Sequence, residues 1–210
     1  MTTGQLIDLL IKDLKPDWSF NRIVLFAMGM GILISASAFL IAVGFRADIA
    51  EAMHSWRFLL KFVLTGTLAV SMTGMLSNLG RPNGATEGWG WGAVAPLMLV
   101  CAIAIELMTE PEAKWLVRLV GHNSRTCLTV IPLLSVGPLL CFFVALRAGA
   151  PRAPGFAGAI AGVAASGIGA TFYAANCTDD SPLFVATWYP LAVLMVSAVG
   201  CFGGRLLLRW

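Results

Sequence analysis

Six long apolar runs, separated by short polar segments, dominate the hydrophobic pattern of the chain. A helix needs about 20 apolar residues, each rising ~1.5 Å, to cross the ~30 Å hydrocarbon core of a bilayer. None of the runs alternates apolar and polar residues, as a membrane β-strand would. The pattern therefore predicts an all-α polytopic membrane protein. Its predicted spans are Ile23–Val43, Phe58–Leu79, Trp91–Met108, Cys127–Leu146, Gly155–Ala174 and Phe184–Leu208.

Composition supports the membrane assignment. Of the 210 residues, 58% are hydrophobic and only 12% are charged, whereas soluble domains carry roughly 25% charged residues. The net charge of +3 is spread thinly along the chain, which argues against direct nucleic-acid binding. The sequence also has no catalytic-triad spacing, nucleotide-binding loop or HExxH motif, so no enzymatic activity is predicted.

Residues 1–22 form a polar head before the membrane domain of residues 23–210. Thr2 and Gln5 fit a capping box and Pro16 ends the segment, which predicts one short amphipathic helix. Such a helix either lies on the inner leaflet or docks into a groove on a cytoplasmic protein. Asp8 and Asp13 favour docking on a cytoplasmic protein, because an anionic inner leaflet repels carboxylates. The predicted apolar face consists of Leu6, Ile7, Leu9, Leu10, Ile11 and Leu14.

Basic residues predict the orientation. With the N-terminus inside, eight Lys and Arg residues lie on the cytoplasmic side and six on the other. Loop 175–183 has no basic residue, whereas the C-terminal tail has two. By the positive-inside rule, both termini are predicted to be cytoplasmic.

Two features suggest how the spans pack. Pro132 and Pro138 predict a kink in the fourth span, which is either a packing kink tolerated by its neighbours or a moving gate. Gly158 and Gly162 in the fifth span, like Gly200 and the glycine four residues after it in the sixth, form small-xxx-small motifs that favour close packing within one chain.

The cysteines differ in their predicted depth. Cys101, Cys141 and Cys201 fall inside spans, where cysteine behaves as a small hydrophobe. Cys127 and Cys177 are expected at water level, and two crossings between them place them on the same face of the membrane. Three readings stay open for this pair: a static disulfide, a redox- or metal-responsive thiol pair, or no special role.

His122, Asp179 and Asp180 lie close in sequence to this cysteine pair. Together with Cys127 and Cys177 they form a candidate ligand set for a soft or borderline divalent metal, although the spacing matches no zinc motif. The alternative is that the two aspartates belong to a solvated turn that caps the sixth span. Their charge is also expected to raise the pKa of the Cys177 thiol.

The opening "LIDLLIKDLKP", the cysteine that begins the fourth span and the ending "YAANCTDDSPLFVATWYPLAV…GGRLLLRW" resemble the NrsF-like membrane anti-sigma factors. The resemblance covers nearly the whole chain. It implies a bacterial inner-membrane protein whose cytoplasmic segment, residues 1–22, sequesters an extracytoplasmic-function sigma factor. It also implies that Cys127 and Cys177 sense oxidant or heavy-metal stress and that sigma is then released.

The alternative function is a small transporter or channel. That function requires ionisable residues at the midplane or broken helices that line a route. Lys61 and Glu106 lie near span ends, where Lys61 could reach the interface, and form no obvious midplane ion site. The sequence therefore favours the anti-sigma reading, with no bound cofactor other than a heavy metal acting as the signal.

Overall fold

The computed structural model describes residues 19–79, 89–149 and 151–208. The predicted head helix, with Asp8, Asp13 and its apolar face, falls in residues 1–18 and so lies outside the described residues. Every regular element in the described residues is helical, which confirms the all-α prediction. The helices are α1 Phe20–Ala42, α2 Ile49–Ala52, α3 Trp56–Leu79, α4 Trp89–Gly92, α5 Val94–Thr109, α6 Trp115–Val120, α7 Ser124–Arg147, α8 Pro154–Ala174 and α9 Pro182–Leu207, with a 3₁₀ turn at Glu112–Lys114.

Five helices in the described residues are long and apolar enough to cross a membrane: α1, α3, α7, α8 and α9. The predicted span Trp91–Met108 instead comprises the four-residue α4 and the 16-residue α5, separated at Ala93. Pro96 lies in the first turn of α5, where its missing N–H is tolerated, so the sequence favours a fresh helix start there. The protein is thus an all-α polytopic membrane protein, and its described residues include five long apolar helices and one shorter apolar helix, α5.

Helix α8 forms the centre of the bundle. The three most extensive helix–helix contacts in the described residues are those of α8 with α9, with α7 and with α3. Its small residues allow this, because a Cβ on Gly158 would overlap the backbone of Gly200, and a Cβ on Gly162 would overlap that of Val196. The predicted close packing of these glycine motifs within the chain is confirmed. Large apolar side chains such as Leu25, Leu33 and Leu194 point outward, as lipid-facing residues do.

Candidate functional site

One end of the bundle, which we call the thiol end, carries both Cys127 and Cys177. Cys127 lies in the first turn of α7, and Cys177 lies in the loop of residues 175–181 between α8 and α9. The segment after α1 folds onto this loop, since Asn176 Nδ2 donates to Gly44 O at 3.0 Å and the Arg46 amide donates to Ala175 O at 3.3 Å. The thiol end therefore joins the exits of α1 and α8 to the starts of α7 and α9.

The two thiols are free and buried in one hydrophobic cluster. Cys127 is 0% exposed and Cys177 is 1% exposed. Both thiols are shielded from solvent inside the protein, because Tyr173 and Phe184 pack with them in the same cluster. The sequence placed them at span boundaries correctly but gave no sign that the 175–181 loop folds inward.

Burial is also the main influence on the acidity of Cys177. Desolvation raises the pKa of this thiol, and the nearby Lys61 ammonium opposes that effect. The charge of Asp179 raises the pKa, as expected, but less than burial does. The Cys177 Sγ lies 3.7 Å from the carbonyl oxygen of Asp179. A buried thiol with a raised pKa is protonated near neutral pH and reacts slowly, because the thiolate is the nucleophile.

Asp180 is held by two cations from different elements. Its carboxylate lies 2.6 Å from Lys61 Nζ in α3 and 3.0 Å from a guanidinium nitrogen of Arg46. Lys61 is 1% exposed, so the expectation that it reaches the interface is wrong. The ammonium instead finds its partners inside the protein, which compensates for the loss of hydration.

Asp179 ties the 175–181 loop to the start of α7. One carboxylate oxygen accepts hydrogen bonds from the backbone amides of His122 at 2.9 Å and Asn123 at 2.8 Å, and from Asn123 Nδ2 at 3.0 Å. The turn of residues 179–182 does cap α9, as the alternative interpretation expects, although through Ser181 and not through the aspartates. Ser181 is the N-cap, and its hydroxyl accepts from the Leu183 amide at 3.2 Å.

A second ionic group surrounds Glu106 near the end of α5. Its side chain is 0% exposed and accepts from Arg118 at 2.9 Å, from the Ser181 hydroxyl at 2.9 Å and from the Leu183 amide at 2.9 Å. Arg57 and Arg118 also pair with Glu110, and these ion pairs lower the pKa of that carboxyl. The group fastens α5 and α6 to the start of α9.

The candidate metal set is only partly gathered. Among the described residues, no group of three or more His, Cys, Asp or Glu side chains is placed to hold a metal ion. Asp179 and Asp180 are engaged in the contacts above, and the His122 side chain is 91% exposed. Of the five proposed ligands, Cys127 and Cys177 alone share a buried cluster.

Sequence reasoning missed the ionic partners of the loop, above all Lys61, Arg46 and Glu106. The available signal was their position, since charged side chains inside or beside an apolar span are costly and need partners. Lys61, Arg46 and Glu106 are all paired, and Lys61 and Glu106 lie toward the ends of their helices.

Comparison with known proteins identifies the family of this chain. The family described as "Negative regulator of sigma F" (NrsF) matches residues 10–210. The chain is 32% identical to "Anti-sigma-F factor NrsF" of Caulobacter vibrioides (strain NA1000 / CB15N), over 100% of both chains. It is 29% identical to "Probable anti-sigma-F factor NrsF" of Azospira oryzae, over 88% of this chain and 87% of that protein. No solved structure matches the chain. The protein therefore belongs to the NrsF family, the negative regulators of sigma F.

Proposed function

We propose that this protein is an inner-membrane anti-sigma factor that sequesters an extracytoplasmic-function sigma factor and releases it when Cys127 and Cys177 react with an oxidant or a heavy metal. The observation that carries the proposal is the similarity along the whole chain to a protein named as an anti-sigma-F factor. A membrane-bound regulator of this kind needs a cytoplasmic grip and a sensor, and the chain offers candidates for both.

The grip is the segment of residues 1–22. Helix α1 begins at Phe20, and the turn that follows it packs on the 175–181 loop, so the first residue of α1 lies at the end of the bundle opposite the thiols. The head combines apolar residues with two carboxylates, Asp8 and Asp13, and this combination suits a groove on a protein surface. In the resting state the sigma factor is held there, away from RNA polymerase.

The sensor is the thiol pair. Oxidation joins the two sulfurs and delivers two protons and two electrons to the oxidant, so that hydrogen peroxide yields two molecules of water. A soft divalent metal instead displaces both protons and binds both thiolates. A disulfide needs Cα atoms ~4.4–6.8 Å apart, and residence in one buried cluster supports such an approach.

Signal transfer requires two arrangements of the helices that the sigma factor distinguishes. Cys127 begins α7 and Cys177 precedes α9, and both helices run from the thiol end to the opposite end. A bridge between the sulfurs acts on both helices at once. A difference of ~1.4 kcal/mol in sigma binding changes affinity about tenfold, so a small displacement suffices.

The test is co-purification with candidate sigma factors before and after treatment with peroxide or Cd²⁺. We expect treatment to release sigma from the parent protein but not from the Cys127→Ser, Cys177→Ser double variant. A Cys141→Ser, Cys201→Ser variant is the matched control and should respond like the parent. Deletion of residues 1–16 should abolish binding under all conditions. Equal release from the parent and the first double variant would exclude the thiol sensor, and retention of sigma by the deletion would exclude the head as the grip.

A further inference from the structure

Lys61 is a fully buried ammonium at the thiol end. It lies in the second turn of α3 and is 1% exposed. Its amine donates to Cys177 O at 2.9 Å and to Asp179 O at 3.4 Å, and it pairs with Asp180 at 2.6 Å. These three partners belong to the loop that carries the Cys177 thiol.

Arg46 holds the same loop from the other side. Its guanidinium donates to Cys177 O at 3.2 Å and to the Asp180 carboxylate at 3.0 Å, and its side chain is 8% exposed. The Phe58 ring lies beneath both cations, 5.4 Å from Lys61 Nζ and 5.7 Å from the Arg46 guanidinium carbon. The backbone carbonyl of Cys177 therefore receives hydrogen bonds from two cations on two separate elements.

Stability alone does not require this arrangement. A buried ion pair can often be replaced by apolar side chains without loss, whereas removal of one partner leaves an uncompensated charge. The ion pair does fix the conformation of the 175–181 loop. The buried ammonium is satisfied only when the loop presents one carboxylate and two carbonyl oxygens to it. In that conformation the Cys177 sulfur is turned into the core beside Cys127.

We propose that Lys61 is the positioning residue of the thiol pair: its contacts with Cys177 and Asp180 keep the 175–181 loop closed over both sulfurs and control how readily they become reactive. The contacts also connect the loop to α3, which continues to the opposite end of the bundle at Leu79. A regulatory role for Lys61 rests on the proposed sensor function. Its effect on the position of the 175–181 loop does not depend on that function.

The test is the alkylation rate of each natural cysteine in the purified full-length protein, measured with N-ethylmaleimide by peptide mass spectrometry. In Lys61→Met we expect Cys127 and Cys177 to react about tenfold faster or more, because hydrogen bonds from a charged donor to the loop are lost. Cys141 and Cys201, which are partly buried in α7 and α9, serve as internal probes and should keep their rates. Arg57→Met is the matched control: Arg57 lies one turn earlier in α3 and pairs with Glu106 and Glu110, and its loss should leave the pair protected.

Two further variants keep the proposal falsifiable if Lys61→Met does not fold. Lys61→Arg retains the charge and should restore part of the protection, and Asp180→Asn should accelerate both thiols with Lys61 in place. An unchanged Cys177 rate in the variants that fold, or an equal acceleration of all cysteines, overturns the proposal. The alkylation rates are measured without a sigma factor. Their result is therefore independent of the co-purification test, in which the Cys127→Ser, Cys177→Ser variant is expected to retain sigma.

Discussion

The hydroxyl of Ser35 in α1 donates a hydrogen bond of 2.7 Å to the backbone carbonyl of Leu134 in α7. Pro138, four residues after Leu134, has no N–H, so that carbonyl lacks its donor within the helix. Close approach is possible because Gly31 packs directly on Pro138. The backbone carbonyl that Pro138 leaves without a donor is therefore bonded by a neighbouring helix, which favours the packing interpretation of this proline over a moving gate.

Replacement of Ser35 with alanine should leave the Leu134 carbonyl buried without a donor. We expect Ser35→Ala to lower the free energy of unfolding by about 1–3 kcal/mol. Ser37→Ala is the matched control, since Ser37 is exposed and bonds within its own helix to Leu33. Thermal unfolding of both variants in the same detergent checks the difference. Equal stability of the two variants would contradict the role of Ser35.

The glycine contacts between α8 and α9 give a second prediction. A Cβ at residue 158 would overlap the backbone of Gly200 and Gly204, so Gly158→Ala should force the helices apart and cost about 1–3 kcal/mol. A Cβ on Gly66 in α3 would meet no neighbouring atom within 4 Å, and Gly66→Ala should be neutral or slightly stabilising. Denaturant unfolding of the two variants measures the contrast, and a neutral Gly158→Ala would show that this contact is not tight.

The membrane helices could be predicted from the sequence because length and apolarity decide whether a segment crosses a bilayer. The close packing of α8 on α9 could be predicted as well, since the spacing of Gly158 and Gly162 leaves a smooth helix surface. The division of the third span at Ala93 was not predicted. A hydropathy pattern does not distinguish a proline from other apolar residues, although Pro96 is favoured in the first turn of a helix and disfavoured in its interior.

The contacts of the candidate site could not be predicted in the same way. Lys61 and Asp180 are far apart in the sequence, and their pairing depends on how the 175–181 loop folds over α3. The burial of Cys177 has the same origin, because its place in a polar segment suggests contact with water. The even number of membrane crossings between the two cysteines predicts that they share a face of the membrane, but it does not predict how deeply their side chains are buried in the protein.

Glu106 provides a third prediction, based on charge. Glu106→Gln removes the buried carboxylate that Arg118 contacts and weakens its bonds to Ser181 and the Leu183 amide. We expect a loss of about 1–3 kcal/mol in the free energy of unfolding, because hydrogen bonds to a charged acceptor are weakened while Arg118 keeps its pair with Glu110. Glu112→Gln, at an exposed position in the 3₁₀ turn, should change stability by less than about 0.5 kcal/mol. Thermal unfolding of the purified variants tests this contrast, and similar losses in both would contradict it.

The buried Cys177 thiol makes stability depend on pH. Burial raises its pKa above the ordinary value of about 8.5, so above that pH the unfolded state loses a proton that the folded state retains. The contribution is complete below about pH 8.5 and is lost as the pH rises toward the folded-state value. The free energy of unfolding should therefore fall as the pH rises above about 8.5, and Cys177→Ser should reduce that slope. An identical slope in the variant would show that the thiol does not titrate on unfolding.

Orientation is the prediction on which the sensor and the grip both depend. His122, at the thiol end of α7, has a side chain that is 91% exposed, and Ala148, at the other end of the same helix, is also exposed. In a background without the five natural cysteines, His122→Cys should react with an impermeant maleimide in intact cells. Ala148→Cys should react only after the cells are opened, because α7 crosses the membrane once between these positions. The reverse pattern would place the thiols inside the cell and the head outside, where no sigma factor is present.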